Sequence, residues 1–307
     1  MPQKVIMDVD TGSDDAVAML MAGHHPALEL VAALPVHGNA PLSMTLDNTL
    51  RLLAAGNLSH VPVYPGASSP LIGPMLAGEG DQIVRMPFPE PNFEPEKKHA
   101  VSFLIDYYSQ ESSKDTIYMP IGPLTNLALA LRIAPEIANH IPRIVTMGGA
   151  YLEGNTTPSA EFNILADPEA AHIVYSAGIP MTMIGLEVTD KAIITKADIE
   201  PIRAIGTPWA DAAAEIINII VDIHMNKYGK TGGIVYDACT VAALIDPAVV
   251  ELQAMHVDIE LNGKYTRGRT VADTRGRKDM PINVDVGVDI NTHRFLDVLY
   301  ASLGRES

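Results

Sequence analysis

The stretch VIMDVDTGSDDA (residues 5–16) joins a short apolar run, a turn and four aspartates. VIMDV (5–9) is typical of a buried strand, and residues 14–24 have the pattern of a helix. In open α/β sheets, ligands bind at the carboxyl ends of the strands, where this stretch places its aspartates. The stretch therefore predicts a β-strand that turns into a helix with a functional site between them.

The same alternation continues along the chain. Further strands are predicted at 29–34, 116–121, 143–148 and 180–186, and further helices at 41–56, 96–110, 124–134, after the N-cap Asp167, at 209–228 and from 237. Strands that alternate with helices indicate a mostly parallel sheet. Towards the end, two runs with alternating polarity predict antiparallel strands before a last helix: 253–261 and 282–290, then 292–303. We expect one α/β domain over residues 1–307.

The amino-acid composition indicates which binding partners and which cellular compartment to expect. The chain has 21 Lys and Arg against 37 Asp and Glu, a formal charge of −16, which disfavours nucleic acid and anionic membranes as partners. Cys239 is the single cysteine, so no intramolecular disulfide can form, which suits a reducing compartment. The sequence shows neither a signal-peptide pattern nor an apolar run of about 20 residues. We therefore expect a soluble cytoplasmic protein.

The aspartates Asp8, Asp10, Asp14 and Asp15 form the sharpest motif. Carboxylates this close repel one another, and a hard divalent cation with oxygen ligands removes that repulsion. The structural alternative is that Asp14 and Asp15 are ordinary first-turn acids of a helix with Ser13 as its N-cap. That alternative does not explain Asp8 and Asp10, so the motif favours a metal site.

Two other families with aspartate motifs fit less well. A calcium-binding EF-hand loop would need glycine at Ser13 and glutamate at Met19. Phosphatases of the haloacid dehalogenase type also place Asp-x-Asp after their first strand. They normally have threonine where this chain has Gly12, and their motif lacks the pair at 14 and 15. A phosphatase remains the second reaction class.

Several blocks, taken together with DVDTGSDDA, resemble one enzyme family over most of the chain. The blocks are HGN (37–39), GPLTNLALAL (122–131), MGG (147–149), GNTTPSAEFNILADPEAA (154–171) and YDACTVAALIDP (236–247). They are similar to the inosine–uridine-preferring nucleoside hydrolases. This resemblance implies a doubly wound, mostly parallel sheet with bound Ca²⁺, hydrolysis of the N-glycosidic bond of a ribonucleoside, and a homodimer or homotetramer.

The resemblance also implies roles for individual residues. Asp10 is expected to be the general base for the attacking water, and Asp8 to support the site. The metal ligands carry over onto Asp10, Asp15, the carbonyl of Ile121 and Asp237. Contacts with the nucleoside carry over onto Asp14, Asn39, the Met147 backbone, Asn155, Glu161, Asn163 and Asp237. From the residues alone, a polar loop that only caps its neighbours explains Asn155, Glu161 and Asn163 equally simply.

The residues that meet the leaving base depart from the family pattern. Tyr236 stands where members commonly have histidine, and Ala77 stands in the Ala-Gly-Glu segment (77–79) where many pyrimidine-preferring members have another. Tyr236 could donate a hydrogen bond, stack on the base or only fill space. His224 shares a helix face with Tyr228 and is a second catalytic candidate, although such a histidine is often solvated. His37 could orient a backbone group or touch the ligand.

These departures leave other hypotheses open. The chain could be a nucleoside- or ribose-binding protein that has lost catalysis, or it could hydrolyse a modified nucleoside. The Pro- and Gly-rich segment 62–95 and the Gly-rich segment 228–235 could act as lids or binding loops. The basic stretch 266–278 is predicted to be a solvated hairpin.

Overall fold

The computed structural model describes residues 1–76 and 85–304. The strands are Gln3–Val9 (β1), Leu28–Pro35 (β2), Thr116–Pro120 (β3), Ile144–Met147 (β4), Met181–Ile184 (β5), Ile193–Ile194 (β6), Gly233–Ile234 (β7), Val250–Met255 (β8), Val257–Ile259 (β9), Thr270–Ala272 (β10) and Val284–Ile290 (β11). The α-helices are Ser13–His24 (α1), Leu42–Ala55 (α2), Ala100–Tyr108 (α3), Thr125–Ile133 (α4), Phe162–Ala166 (α5), Pro168–Tyr175 (α6), Leu186–Thr189 (α7), Lys196–Arg203 (α8), Pro208–Tyr228 (α9), Tyr236–Ile245 (α10) and Thr292–Leu303 (α11). The segment around Ala77 lies outside the described residues.

The central sheet has the order β2-β1-β3-β4-β5-β11-β8. All neighbours are parallel except β8, which pairs antiparallel with β11. The chain moves from β1 to one side for β2 and then crosses to the other side for β3. This change of direction leaves a crevice at the carboxyl ends of β1 and β3, where doubly wound folds bind their ligands. The prediction of a doubly wound, mostly parallel sheet is confirmed.

Side-chain alternation along the strands builds a core on each face of the sheet. In β1, Val5, Met7 and Val9 join a cluster with apolar residues of α1, α2, α9, α10 and α11. Ile6 points the other way and joins α3, α4 and α6. Since both faces are covered, the strands are apolar almost throughout, as expected for parallel strands.

The C-terminal antiparallel strands were predicted correctly in type, but one boundary was wrong. The run 253–261 is not one strand, because His256 separates β8, in the main sheet, from β9, which pairs with β10. Residue patterning could not show this break, because the alternation continues through it. The short elements α5, α7, α8, β6 and β7 were not predicted.

The basic stretch 266–278 contains β10 and has intramolecular partners. Arg267 pairs with Glu169 at 2.8 Å, and Arg269 donates to the carbonyl of Tyr151 at 3.1 Å. These contacts tie the hairpin to α6 and to the loop after β4. Across residues 1–76 and 85–304, no helix combines the length and apolarity that a membrane span requires.

Candidate active site

The predicted site residues converge because the parallel strands end at one edge. Asp10 follows β1, Asn39 lies after β2, Ile121 follows β3 and Met147 ends β4. The amide of Ile121 donates to the carbonyl of Asp8 at 2.8 Å, which extends the pairing of β1 and β3 to the site itself. Residues far apart in sequence therefore meet around Asp10.

Asp15 holds the turn between β1 and α1. Its carboxylate accepts the amides of Asp10 at 3.0 Å and Gly12 at 2.9 Å, and Asn39 Nδ2 lies 3.3 Å away. The N-cap of α1 is thus Gly12, with Asp15 closing back on it, and not Ser13 as the structural alternative supposed. Asp15 is fully buried.

Asp10 sits in a close-fitting backbone cradle. The amide of Asn39 donates to its Oδ2 at 2.7 Å. A Cβ atom added at Gly38 or Gly122 would collide with the Asp10 carboxylate. The glycines of the HGN and GPLTN blocks therefore leave the room that this side chain occupies.

Three carboxylates form the group that could hold a cation. One oxygen from each of Asp14, Asp15 and Asp237 lies within 4.8 Å of the other two, and all three side chains are buried. Asp10 is not a member of this group, although it adjoins it and lines the same cavity. An all-oxygen set of negative ligands fits a hard divalent cation. The residues present therefore fit the metal that the motif predicted.

The pKa values of these carboxyls rise because the site is buried. Burial raises the pKa of Asp15 to about 7, with a further rise from the charge of Asp14. Burial also raises the pKa of Asp10 and of Asp237 well above the usual range, and neighbouring carboxylates add to both. Asp8, below the site, has a pKa raised to about 7 by burial, while hydrogen bonds from Tyr118 and Asn126 lower it. A bound cation would favour the charged carboxylates and would therefore lower their pKa values again.

Glu161 and Asn163 shape the loop after β4. Glu161 caps α5 and accepts the amides of Gly149 and Asn163, both at 2.9 Å. The side-chain amide of Asn163 donates to the carbonyl of Ile121 at 2.8 Å and lies 3.3 Å from that of Met147. Glu161 thus has the capping role of the structural alternative and also faces the cavity.

Helices α9 and α10 supply the aromatic residues of the site. His224 and Tyr228 meet edge to face with ring centroids 5.9 Å apart, and Tyr236 begins α10. The amide of Ile234 donates to His224 Nδ1 at 3.2 Å. A neutral His224 ring that keeps this bond carries its proton on Nε2, so it can donate a hydrogen bond from there.

These walls enclose a cavity of about 290 Å³. It is lined by Asp10, Asp14, Asn39, Ile121, Met147, Asn155, Thr156, Glu161, Phe162, Asn163, His224, Tyr228, Lys230, Tyr236 and Asp237. All the predicted site residues are in this lining except Asp15, which lies buried against Asp10 and Asn39. Thr156, Phe162, Tyr228 and Lys230 were not predicted as site residues, although each lies in a segment that the sequence singled out.

His37 is not part of the lining. It is fully buried, and its Nε2 lies 3.1 Å from Thr125 Oγ1. Burial lowers its pKa to about 4, which keeps the ring neutral. Its Nε2 is thus close to a side-chain hydroxyl, and the orientation of a backbone group by His37 stays a prediction.

Two buried asparagines connect the aspartate turn to the stems of segment 62–95. Asn126 donates to Asp8 at 3.0 Å and accepts the amide of Ala67 at 2.8 Å. Asn48 donates to the carbonyl of Thr11 at 3.0 Å and accepts the amide of Met86 at 2.9 Å. The chain is thereby fixed relative to the aspartate turn at Ala67 and at Met86.

Comparison with known proteins identifies relatives over the whole site. The family model "inosine-uridine preferring nucleoside hydrolase" matches residues 5–297. A pyrimidine-specific ribonucleoside hydrolase, RihB, of Escherichia coli O9:H4 (strain HS) is 39% identical over 297 residues, 95% of this chain and 94% of that protein. A purine-preferring ribonucleoside hydrolase from Gardnerella vaginalis aligns with TM-score 0.89 at 30% identity over 98% of each chain. A plant nucleoside hydrolase, PpNRh1, gives TM-score 0.90 at 26% identity over both entire chains.

The fold, the carboxylate-lined cavity and these relatives define the class of protein, an N-glycosyl hydrolase of ribonucleosides. The chain belongs to the inosine-uridine preferring nucleoside hydrolase family. The phosphatase hypothesis is thereby wrong.

Proposed function

We propose that this enzyme cleaves ribonucleosides with Asp10 as general base, a divalent cation at the carboxylate group and the base directed towards α9 and α10. The observation that carries the proposal is that one cavity is lined by both kinds of group: the carboxylates Asp10, Asp14 and Asp237, and the rings of His224, Tyr228 and Tyr236. Acidic groups suit a ribose that develops positive charge, and aromatic groups suit a planar base.

The cation would be held by Asp14, Asp15 and Asp237, with Asp10 and the Ile121 carbonyl beside them. When bound, a hard cation such as Ca²⁺ supplies positive charge that acidifies water and attracts a cis-diol. We propose Ca²⁺ as the ion because of the all-oxygen set and the family resemblance.

The chain's own residues then orient the reactants. Asp10 takes a proton from the attacking water, since its pKa is raised by burial and its Oδ2 is oriented by the Asn39 amide. Asp14, Asn163 and Asp237 hold the 2′- and 3′-hydroxyls, while Asn155 and Glu161 hold the 5′-hydroxyl. Clamping of this kind contributes on the order of 7 kcal/mol or more in favourable cases.

The test is a reducing-sugar assay with inosine, adenosine, guanosine, uridine and cytidine, in calcium buffer. We expect ribose from at least one of them, and the ranking gives the base preference. The named relatives include both pyrimidine-specific and purine-preferring enzymes, so their names do not decide it. No ribose from any nucleoside, with binding detected by calorimetry, would favour the hypothesis of a binding protein without catalysis.

A nucleoside that lacks the 2′-hydroxyl is expected to be a much poorer substrate. Buried Asp14 and Asp237 would lose a partner that they cannot replace, and sites built around a hydroxyl discriminate strongly against its absence. We expect kcat/KM for 2′-deoxyuridine to be at least about 100-fold below that for uridine. Comparable values would argue against the diol clamp.

Replacement of Tyr236 by Phe separates its two predicted roles. The ring is retained, so a stacking role predicts an unchanged kcat. A hydroxyl that donates to the base predicts a kcat about 10-fold lower with little change in KM. We expect the second result, since Tyr236 stands where the family has a histidine donor. An unchanged kcat would reduce Tyr236 to a wall of the cavity.

The remaining proposals concern the whole molecule. We propose a cytoplasmic enzyme that assembles as a homodimer or homotetramer, in keeping with the family resemblance. Analytical ultracentrifugation measures the assembly directly, and a monomer at micromolar concentration would contradict it.

A further inference from the structure

A base that leaves with negative charge is stabilised by a nearby positive charge, and the described cavity has one cationic side chain. Among residues 1–76 and 85–304, Lys230 is the one lysine or arginine in the lining, against the carboxylates Asp10, Asp14, Glu161 and Asp237. Lys230 follows α9, the helix that carries His224 and Tyr228, and its charge also acts on the carboxyl of Asp190, outside the lining. Building on the proposed function, we infer that Lys230 stabilises the leaving base as the N-glycosidic bond breaks.

The backbone around Lys230 is fixed in place. Gly229 ends α9 in the left-handed conformation (φ 64°), with its amide on the carbonyl of Met225 at 3.1 Å. The amide of Lys230 returns to the carbonyl of His224 at 3.2 Å. Four residues later, Ile234 pairs with Ile193. A helix cap and a strand pair thus hold the segment from which the side chain reaches the cavity.

Cleavage of the N-glycosidic bond leaves negative charge on the base, which a lysine ammonium can stabilise. The C1′–N bond breaks and its electron pair stays on the base nitrogen, while the water oxygen bonds to C1′ and Asp10 takes the water proton. The base leaves with negative charge and then takes a proton from solvent, as Asp10 returns one. Carboxylates near the ribose favour its positive charge but oppose the negative charge on the base. An ammonium on the base side stabilises both the charge separation and the hydrogen-bonded anion.

This assignment also accounts for the departures from the family pattern. Tyr236 occupies a usual histidine position, and a neutral phenol is a weak acid near pH 7. The Nδ1 of His224 accepts from the Ile234 amide, so a neutral ring can donate only from Nε2 and full protonation would cost the bond at Nδ1. Lysine is cationic without any such rearrangement.

Lys230→Met tests the inference, and Lys227→Met is its matched control. Lys227 lies on the same helix end, with its Nζ 5.2 Å from the centre of the Tyr228 ring, and it is not in the lining. Both variants change the net charge equally. We expect Lys230→Met to lower kcat for the wild type's best nucleoside about 10-fold or more, and Lys227→Met to leave it within about 2-fold.

A substrate whose leaving group departs without stabilisation distinguishes a loss of leaving-group stabilisation from structural damage to the site. With p-nitrophenyl β-D-riboside, both variants should match the wild type within about 2-fold, and Lys230→Arg should retain most nucleoside activity. Equal losses on nucleoside and aryl riboside, or equal effects of the two methionine variants, would overturn the inference. Failure of the wild type to cleave any nucleoside would instead overturn the proposed function and the inference with it.

Discussion

Asp10→Asn is expected to lower kcat for ribose release about 1000-fold, with the fold intact. Asparagine has nearly the same shape and can still accept the Asn39 amide at its side-chain oxygen, but it cannot take a proton from water. General bases contribute about 10² to 10⁴ to the rate. The measurement is kcat by the reducing-sugar assay at saturating calcium, so that a weaker affinity for metal does not limit the rate.

Asp8→Asn is the matched control for this variant. Asp8 is equally buried, lies two residues earlier and does not line the cavity. The amide oxygen can still accept from Asn126, while the amide NH2 can donate to the Tyr118 hydroxyl in place of accepting from it, so we expect kcat within about 10-fold of wild type. A similar loss in both variants would indicate damage to the turn, and Asp10→Asn with kcat within 10-fold of wild type would remove Asp10 as the base.

Removal of divalent metal is expected to abolish ribose release and to make stability depend on pH. Without the cation, folding holds Asp8 and Asp15 at pKa values of about 7, against 3.8 in an unfolded chain. The folded state therefore binds more protons than the unfolded state between these values, and stability is lost as the pH rises through 7. We expect the melting temperature of chelated protein to be a few degrees lower at pH 8 than at pH 6.5.

Between pH 6.5 and pH 8, the titration of His37 does not oppose this loss of stability. Buried His37, with its pKa lowered to about 4, removes stability as the pH falls below about 6.5. Calcium should restore activity, and it should raise the melting temperature more at pH 8 than at pH 6.5, because protons compete for the same oxygens. A chelated protein that melts higher at pH 8, or keeps its activity, would contradict the assignment of a metal to this group.

The parts of the structure that follow from local patterning were predictable from the sequence. The apolar runs of β1 to β5 placed the strands, and the turn after β1 placed the site at the switch in strand order. The break at His256 was not predictable, since it depends on which sheet each strand joins and leaves no mark on the alternation of residues. Short elements such as α8 also escaped, because tertiary packing decides them more than local preference does.

The residues that line the cavity were predictable from motifs, but their arrangement relative to one another was not. The resemblance supplied nearly the whole lining, including Ile121, whose apolar side chain gives no sign of the role that we propose for its carbonyl. The motif alone could not tell which of four aspartates would approach one another. That depends on α10, which brings Asp237 to the first turn of α1 from more than 200 residues away. Lys230 carried no motif at all, since its position depends on the cap of α9.

The paired asparagines Asn48 and Asn126 bear on how this fold can be re-engineered. They fasten the chain at Ala67 and Met86, so the length between these two points is independent of the geometry of the aspartate turn. Closing a longer stretch of chain costs only about 0.6 kcal/mol for each doubling of its length. We therefore expect the aspartate turn to tolerate changes of length between the two anchors that keep the bond from the Leu71 amide to Asp167.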